Sequence, residues 1–116
     1  MSQIRIAFVV ALAALIVAAP AAGGQARASS TTVTVTMKEF KFILSRKTVP
    51  HGKIVFKLVN KGKLAHDFKI ATKKSLHIAP GKTGKLVATL AKGKHAYKCT
   101  IDGHAAAGMK GVLRVT

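Results

Sequence analysis

The chain has 116 residues, 20 Lys and Arg against three Asp and Glu, a net charge of +17, and one Cys. At ~100–200 residues per domain this length holds a single domain. One Cys excludes an intrachain disulfide framework and any all-Cys zinc site, and the charge excludes an acidic, halophile-type surface. Yet 49% of the residues are apolar, so apolar side chains must be concentrated somewhere along so basic a chain.

The first concentration is N-terminal. A short start ending at Arg5 leads into an uncharged apolar run, Ile6 to Ala19, closed by Pro20. Ala26-Arg27-Ala28 then offers an A-x-A cleavage site. This is the layout of a secretory signal peptide. An uncleaved anchor is the competing reading, but a spanning helix wants ~20 apolar residues and the run is shorter. Residues 1–28 are therefore expected to be a leader and 29–116 the working domain. The destination is then periplasmic or extracellular, or membrane-anchored if the signal stays. Arg5 and Arg27 leave with the leader, taking the charge from +17 to +15. An exported domain meets an oxidising compartment, where a lone Cys is a stray thiol, an intermolecular link or a metal ligand.

After the leader the pattern has period 2. Val33, Val35 and Met37 share one face of a run from Thr32; Phe40 and Phe42 repeat the spacing, as do Ile54, Phe56 and Leu58. His66, Phe68 and Ile70 follow, then Leu86, Ala88 and Leu90, then His95, Tyr97 and Cys99, and finally Leu113 and Val115. Turn signals separate the runs at Pro50-His51-Gly52, Asn60-Lys61-Gly62, Pro80-Gly81 and Lys92-Gly93-Lys94. Such runs predict an all-β domain, a Greek-key β-sandwich of about seven or eight strands. Gly81-Lys82-Thr83 is a turn rather than a phosphate-binding loop, because the Gly required upstream is replaced by Leu76. All five aromatics beyond the leader (Phe40, Phe42, Phe56, Phe68 and Tyr97) take the core-facing parity. The lysines are spread over strands and turns, which speaks against a specific nucleic-acid site.

Chemistry is concentrated in Cys99-x4-His104-x4-Met109. Five residues along a helix turn a side chain by about 140°, and five along a strand move it ~16 Å and to the other face. Only a curled loop aims all three at one point, and Gly103, Gly108 and Gly111 supply the freedom for one. A thiolate, an imidazole and a thioether form a soft set suited to copper, whereas calcium or magnesium would want carboxylates. His66 is the candidate fourth ligand. His66, Cys99 and His104 would form a trigonal set with Met109 as weak axial ligand, the composition associated with blue copper centres. His51 and His77 stand beside turns and are expected to be solvated. His95 lies ~13 Å along its strand from Cys99, too far to join it.

Taken with Asn60-Lys61-Gly62, His66-Asp67-Phe68, Pro80-Gly81, Tyr97-Lys98-Cys99, Gly103-His104 and the ending from Gly108 to Val115, the chain resembles the cupredoxins of plastocyanin/azurin type over residues 32–116. The resemblance implies one type 1 copper held by His66, Cys99, His104 and Met109. It also implies a one-electron carrier rather than an enzyme, working with redox proteins. Where many members have Asn after the first His, this chain has Asp67, and in the family that side chain braces the ligand loop. An ionised Asp67 only accepts hydrogen bonds, so the donors must be the Thr100 hydroxyl or loop N–H groups. The family's loop His lies in an apolar surface patch, here His104 with Ala105, Ala106 and Ala107. The +15 charge favours partners with acidic docking surfaces and weak association with anionic membranes. A monomer is expected. Copper trafficking or storage, and a metal-free module for polyanions, are the alternative functions.

Overall fold

The computed structural model describes residues 29–116; the leader expected over 1–28 lies outside the described residues. Nine strands form two packed sheets: β1 (Thr31–Lys38), β2 (Lys41–Leu44), β3 (Thr48–Val49), β4 (Gly52–Asn60), β5 (Lys69–Ile70), β6 (Lys73–Lys74), β7 (Thr83–Leu90), β8 (Gly93–Lys98) and β9 (Lys110–Val115). One sheet has the order β2-β1-β4-β7, the other β3-β9-β8-β5-β6. Pairing is antiparallel except for β1 with β4 and β3 with β9. The chain visits the second sheet first at β3, returns for β4, crosses again for β5 and β6, returns for β7 and ends in the second sheet with β8 and β9. The count exceeds the expected seven or eight because β3 and β6 have two residues each, too short to show periodicity. No helix occurs among the described residues, so none there could cross a membrane.

Alternation accounts for the longer strands. In β1 the β-branched Thr and Val residues suit a pleated surface, and Val33, Val35 and Met37 are buried while the intervening Thr residues are not. In β4 Ile54, Phe56 and Leu58 point into the same layer, and Leu86, Ala88 and Leu90 of β7 complete it. Ile70, Tyr97 and Leu113 come from the opposing sheet, and Phe68 stands immediately before its strand β5. Phe68 is central, with its ring 5.0 Å from Phe56, 5.3 Å from Phe42 and 5.4 Å from Tyr97. Each fully buried ring contributes about 1.5–3 kcal/mol over its exposed state.

Two expectations need correction. Phe40 is not a core residue: it stands in the turn between β1 and β2 and is 37% exposed. Phe42 is only partly buried. Parity along a strand cannot be extended through the turn that ends it. Nor does Gly111 serve loop freedom. Gly103 and Gly108 take φ of 80° and 118°, conformations that favour glycine. Gly111 belongs to β9 opposite Tyr97, and a Cβ there would lie 2.5 Å from Tyr97 Cζ. Its missing side chain is the space the Tyr97 ring occupies. Gly111→Ala should therefore force the ring aside and cost about 1–3 kcal/mol. Thermal unfolding checks this; an unchanged melting temperature would show that the ring has room to yield.

Candidate metal centre

The candidate residues gather at one end of the sandwich, where three connections meet: the β1–β2 turn, the β4–β5 segment and the β8–β9 loop. Asn60, the last residue of β4, organises the second of these. Its side chain is buried, donates from Nδ2 to the carbonyls of Leu64 and Ile78 (both 2.8 Å), and accepts from the Gly62 amide at 2.9 Å. This latches the turn that leads into His66. His66 then forms an isolated antiparallel bridge with Ile78, N···O 3.1 and 2.7 Å. It is not on a regular strand, and Asp67 is as buried as its neighbours His66 and Phe68. The simple alternation expected here fails because Asp67 has a partner of its own inside.

The β8–β9 loop carries the other candidates. Cys99 directly follows β8 and Met109 directly precedes β9, and the Cys99 amide donates to the Met109 carbonyl at 3.0 Å, closing the loop at its base. Within it the His104 amide donates to Ile101 and the Met109 amide to the His104 carbonyl, at 3.0 and 3.1 Å. This is the curled loop that the ligand spacing demanded. Cys99 and Met109 are buried; His104 retains 9% exposure, so the loop histidine alone among the four reaches solvent appreciably.

His66 Nδ1 lies 3.1 Å from His104 Nδ1, and Cys99 Sγ lies 3.6 Å from the same His104 nitrogen. The three ligand atoms all fall within 4.8 Å of one another. A small transition-metal ion bonds imidazole nitrogen at ~2.0 Å and thiolate sulfur at ~2.3 Å. At bond angles of ~100–120°, two such nitrogens lie ~3.1–3.5 Å apart, and sulfur and nitrogen ~3.3–3.7 Å. The observed distances match both ranges, so the residues present fit a metal ion. The fully buried Met109 is pinned to both neighbours through its backbone, and a soft N2S set with a nearby thioether favours copper.

Two carboxylates support this cluster. Asp67 Oδ1 accepts from the Thr100 amide at 2.6 Å, and Oδ2 accepts from the Thr100 hydroxyl. These are the two kinds of donor that an acceptor-only side chain required. The exposed His77 adds Nε2 3.5 Å from Oδ2. The residue after His66 is thus tied to the residue after Cys99, fixing the ligand-bearing segments against each other. Burial pushes the Cys99 thiol above its usual value, opposed by the backbone amides of Asp67 and Ile101. A metal taking this position must displace a proton.

Glu39 is the second carboxylate, and sequence reasoning missed it. Its Oε1 accepts from the amides of Lys63 at 2.6 Å and Leu64 at 2.8 Å, and from His66 Nε2 at 3.2 Å. With Nε2 carrying the donated proton, Nδ1 of a neutral His66 is the lone-pair nitrogen, the one that faces Cys99 and His104. The amide of Leu64, then that of Lys63 and the His66 ring hold the Glu39 carboxyl down to about 2. Phe40, the next residue, sets its ring edge-on to His104 at 5.1 Å. Scarcity was the available signal: of three acids in the chain, each merited a search for its partner. His51 and His95 stay outside the cluster; His95 donates to the Ala91 carbonyl at 2.7 Å. Ala106 and Ala107 are exposed beside His104, with Ala105 partly so.

The profile of the cupredoxin-like domain family matches residues 6–115. No protein of curated function shows detectable sequence similarity to the chain. Among solved structures, auracyanin B is similar at TM-score 0.65 and 20% identity, over 79% of this chain and 92% of that one. Auracyanin A, described as a "blue" copper protein from the green thermophilic photosynthetic bacterium Chloroflexus aurantiacus, matches at 0.65 and 18%, over 76% and 100%. The copper nitrite reductase of Nitrosomonas europaea matches at 0.60 and 23%, over 75% of this chain but only 41% of that one.

Proposed function

Because the chain belongs to the cupredoxin-like domain family, we propose that it is an exported type 1 blue copper protein carrying single electrons between redox partners. His66, Cys99 and His104 would hold one copper ion, with Met109 as the weak axial ligand. The carrying observation is the convergence of His66 Nδ1, Cys99 Sγ and His104 Nδ1 within 4.8 Å at one end of the sandwich. Bound there, copper would supply a one-electron couple between Cu(II) and Cu(I).

The protein's contribution is to hold its ligands still. Cys99 and Met109 are fixed by the strands they adjoin, His66 by its bridge to Ile78 and its bond to Glu39, and the two segments by the Asp67–Thr100 link. With four protein donors assigned, no coordination position is left for a substrate, which favours a carrier over an enzyme. His104, with its exposed edge among Ala106, Ala107 and Phe40, is the exit for the electron. A surface of small and apolar side chains permits the close, transient approach that redox encounters use. The cationic surface would steer acidic partners and speed their association at low salt.

Reversible voltammetry tests carrier against store. A fast couple is expected; a slow or irreversible one would favour copper storage or trafficking. Met109→Gln is expected to keep copper but lower the reduction potential, since a thioether stabilises Cu(I) better than an amide oxygen does. An unchanged potential would remove Met109 from the axial role.

A further inference from the structure

The lysines are not evenly spread. In the five-stranded sheet Lys74 of β6 pairs with Lys69 of β5, Lys69 with Lys98 of β8, and Lys98 with Lys110 of β9. Four lysines therefore stand in one register row across four adjacent strands, a line of about 14 Å at the usual strand spacing. Their sequence neighbours Phe68, Ile70, Ser75, Tyr97, Cys99 and Met109 are buried, so the row lies on the outer face. Elsewhere facing cations occur only as pairs, such as Lys38 with Lys41 or Lys57 with Lys85. Like charges directly opposite one another across strands are destabilising. None of the four lysines forms a salt bridge among the described residues, and of the chain's three acids Glu39 and Asp67 are engaged beside the candidate metal ligands.

The row borders an open groove of about 520 Å³ lined by Lys69, Lys98 and Lys110 and floored by Ala71, Ala96 and Val112. Val112 is 54% exposed. A small-residue floor with a cationic edge has the anatomy of a protein interface, an apolar centre with a charged rim. Lys98 immediately precedes Cys99 and Lys110 immediately follows Met109, so whatever occupies the groove sits against the base of the ligand loop.

We propose that this face is a docking site for an acidic segment of a partner protein, an extended stretch whose carboxylates line up along the lysine row while its apolar side chains fill the groove. Charge complementarity selects the occupant. The concave floor favours a protein segment over a flat anionic bilayer. This rests on the carrier reading in one respect: it is the redox partner that the row would bring to the loop.

The test measures binding of poly-L-glutamate to the copper-loaded and copper-free mature protein. The variants are Lys98→Glu/Lys110→Glu and, as a control of equal charge change, Lys53→Glu/Lys92→Glu on other surfaces. The row variant is expected to lose about tenfold or more in affinity at low salt, and the control less than about threefold. Equal losses would reduce the effect to the overall charge and overturn the proposal. Tighter binding to phosphatidylserine vesicles than to poly-L-glutamate, with the same variant dependence, would make the face a membrane surface and overturn it as well. Should the double variant fold poorly, Lys98→Gln serves: it is expected to raise the melting temperature at low salt while weakening poly-L-glutamate binding, and retention of full binding would contradict the site. Failure of the copper reading would leave these binding differences intact in the copper-free protein, so the two failures are separable.

Discussion

Glu39→Ala is expected to weaken copper binding by about 10–100-fold while leaving both sheets folded, the usual cost of removing a carboxylate behind a ligating histidine. The loss has two parts. His66 is freed to rotate or to place its proton on Nδ1, and the amides of Lys63 and Leu64 lose their acceptor, Glu39 Oε1. Glu39→Gln separates them. Its amide oxygen can accept the same three donors, so affinity should be largely restored, while loss of the negative charge raises the reduction potential. If Glu39→Ala binds copper as tightly as the parent, the carboxylate is not a support of the site.

The same bonds set a pH dependence. The Glu39 carboxyl lies at about 2 in the folded chain against an ordinary 4.5. A carboxylate depressed by folding contributes its stabilisation in full above the ordinary value and loses it as pH falls toward the folded one. The contribution should therefore be complete above pH 4.5 and fade between 4.5 and 2. Glu39→Gln should flatten that part of the stability profile in acid titrations of unfolding.

Asp67→Ala is the second large effect, with an expected loss of about 2–4 kcal/mol, because the Thr100 amide and hydroxyl both lose their acceptor in a partly buried setting. Asp67→Asn is the informative control. The carbonyl oxygen of Asn still accepts from the Thr100 amide, and its NH2 can donate to the Thr100 hydroxyl. Chemical denaturation should place Asn within about 1 kcal/mol of the parent, half or less of the Ala loss, if hydrogen bonding is what Asp67 supplies. Equal losses in Ala and Asn would instead make the charge the essential property.

What the sequence shows and hides follows from the range of each interaction. The Cys99, His104 and Met109 spacing was readable because all three lie in one loop, where only a curl reconciles the positions. Asp67 with Thr100 was readable in chemistry, since an acceptor-only side chain limits its partners to donors. Glu39 was not. It lies 27 residues before His66 in a turn, and turn side chains have no parity to extrapolate. Phe40 was misassigned to the core for the same reason. The lysine row was hidden in a different way: Lys69, Lys74, Lys98 and Lys110 look scattered along the chain, and only strand register brings them abreast. β3 and β6, two residues each, lie below the length at which alternation carries information.

The most direct test of the central claim is titration of the mature protein with Cu(II), followed by visible absorption, alongside Cys99→Ser. The structure leads to one equivalent bound with an intense blue or green thiolate-to-copper absorption in the parent and none in Cys99→Ser. Absence of that absorption in the parent, or its survival in Cys99→Ser, would contradict a copper centre built on His66, Cys99 and His104.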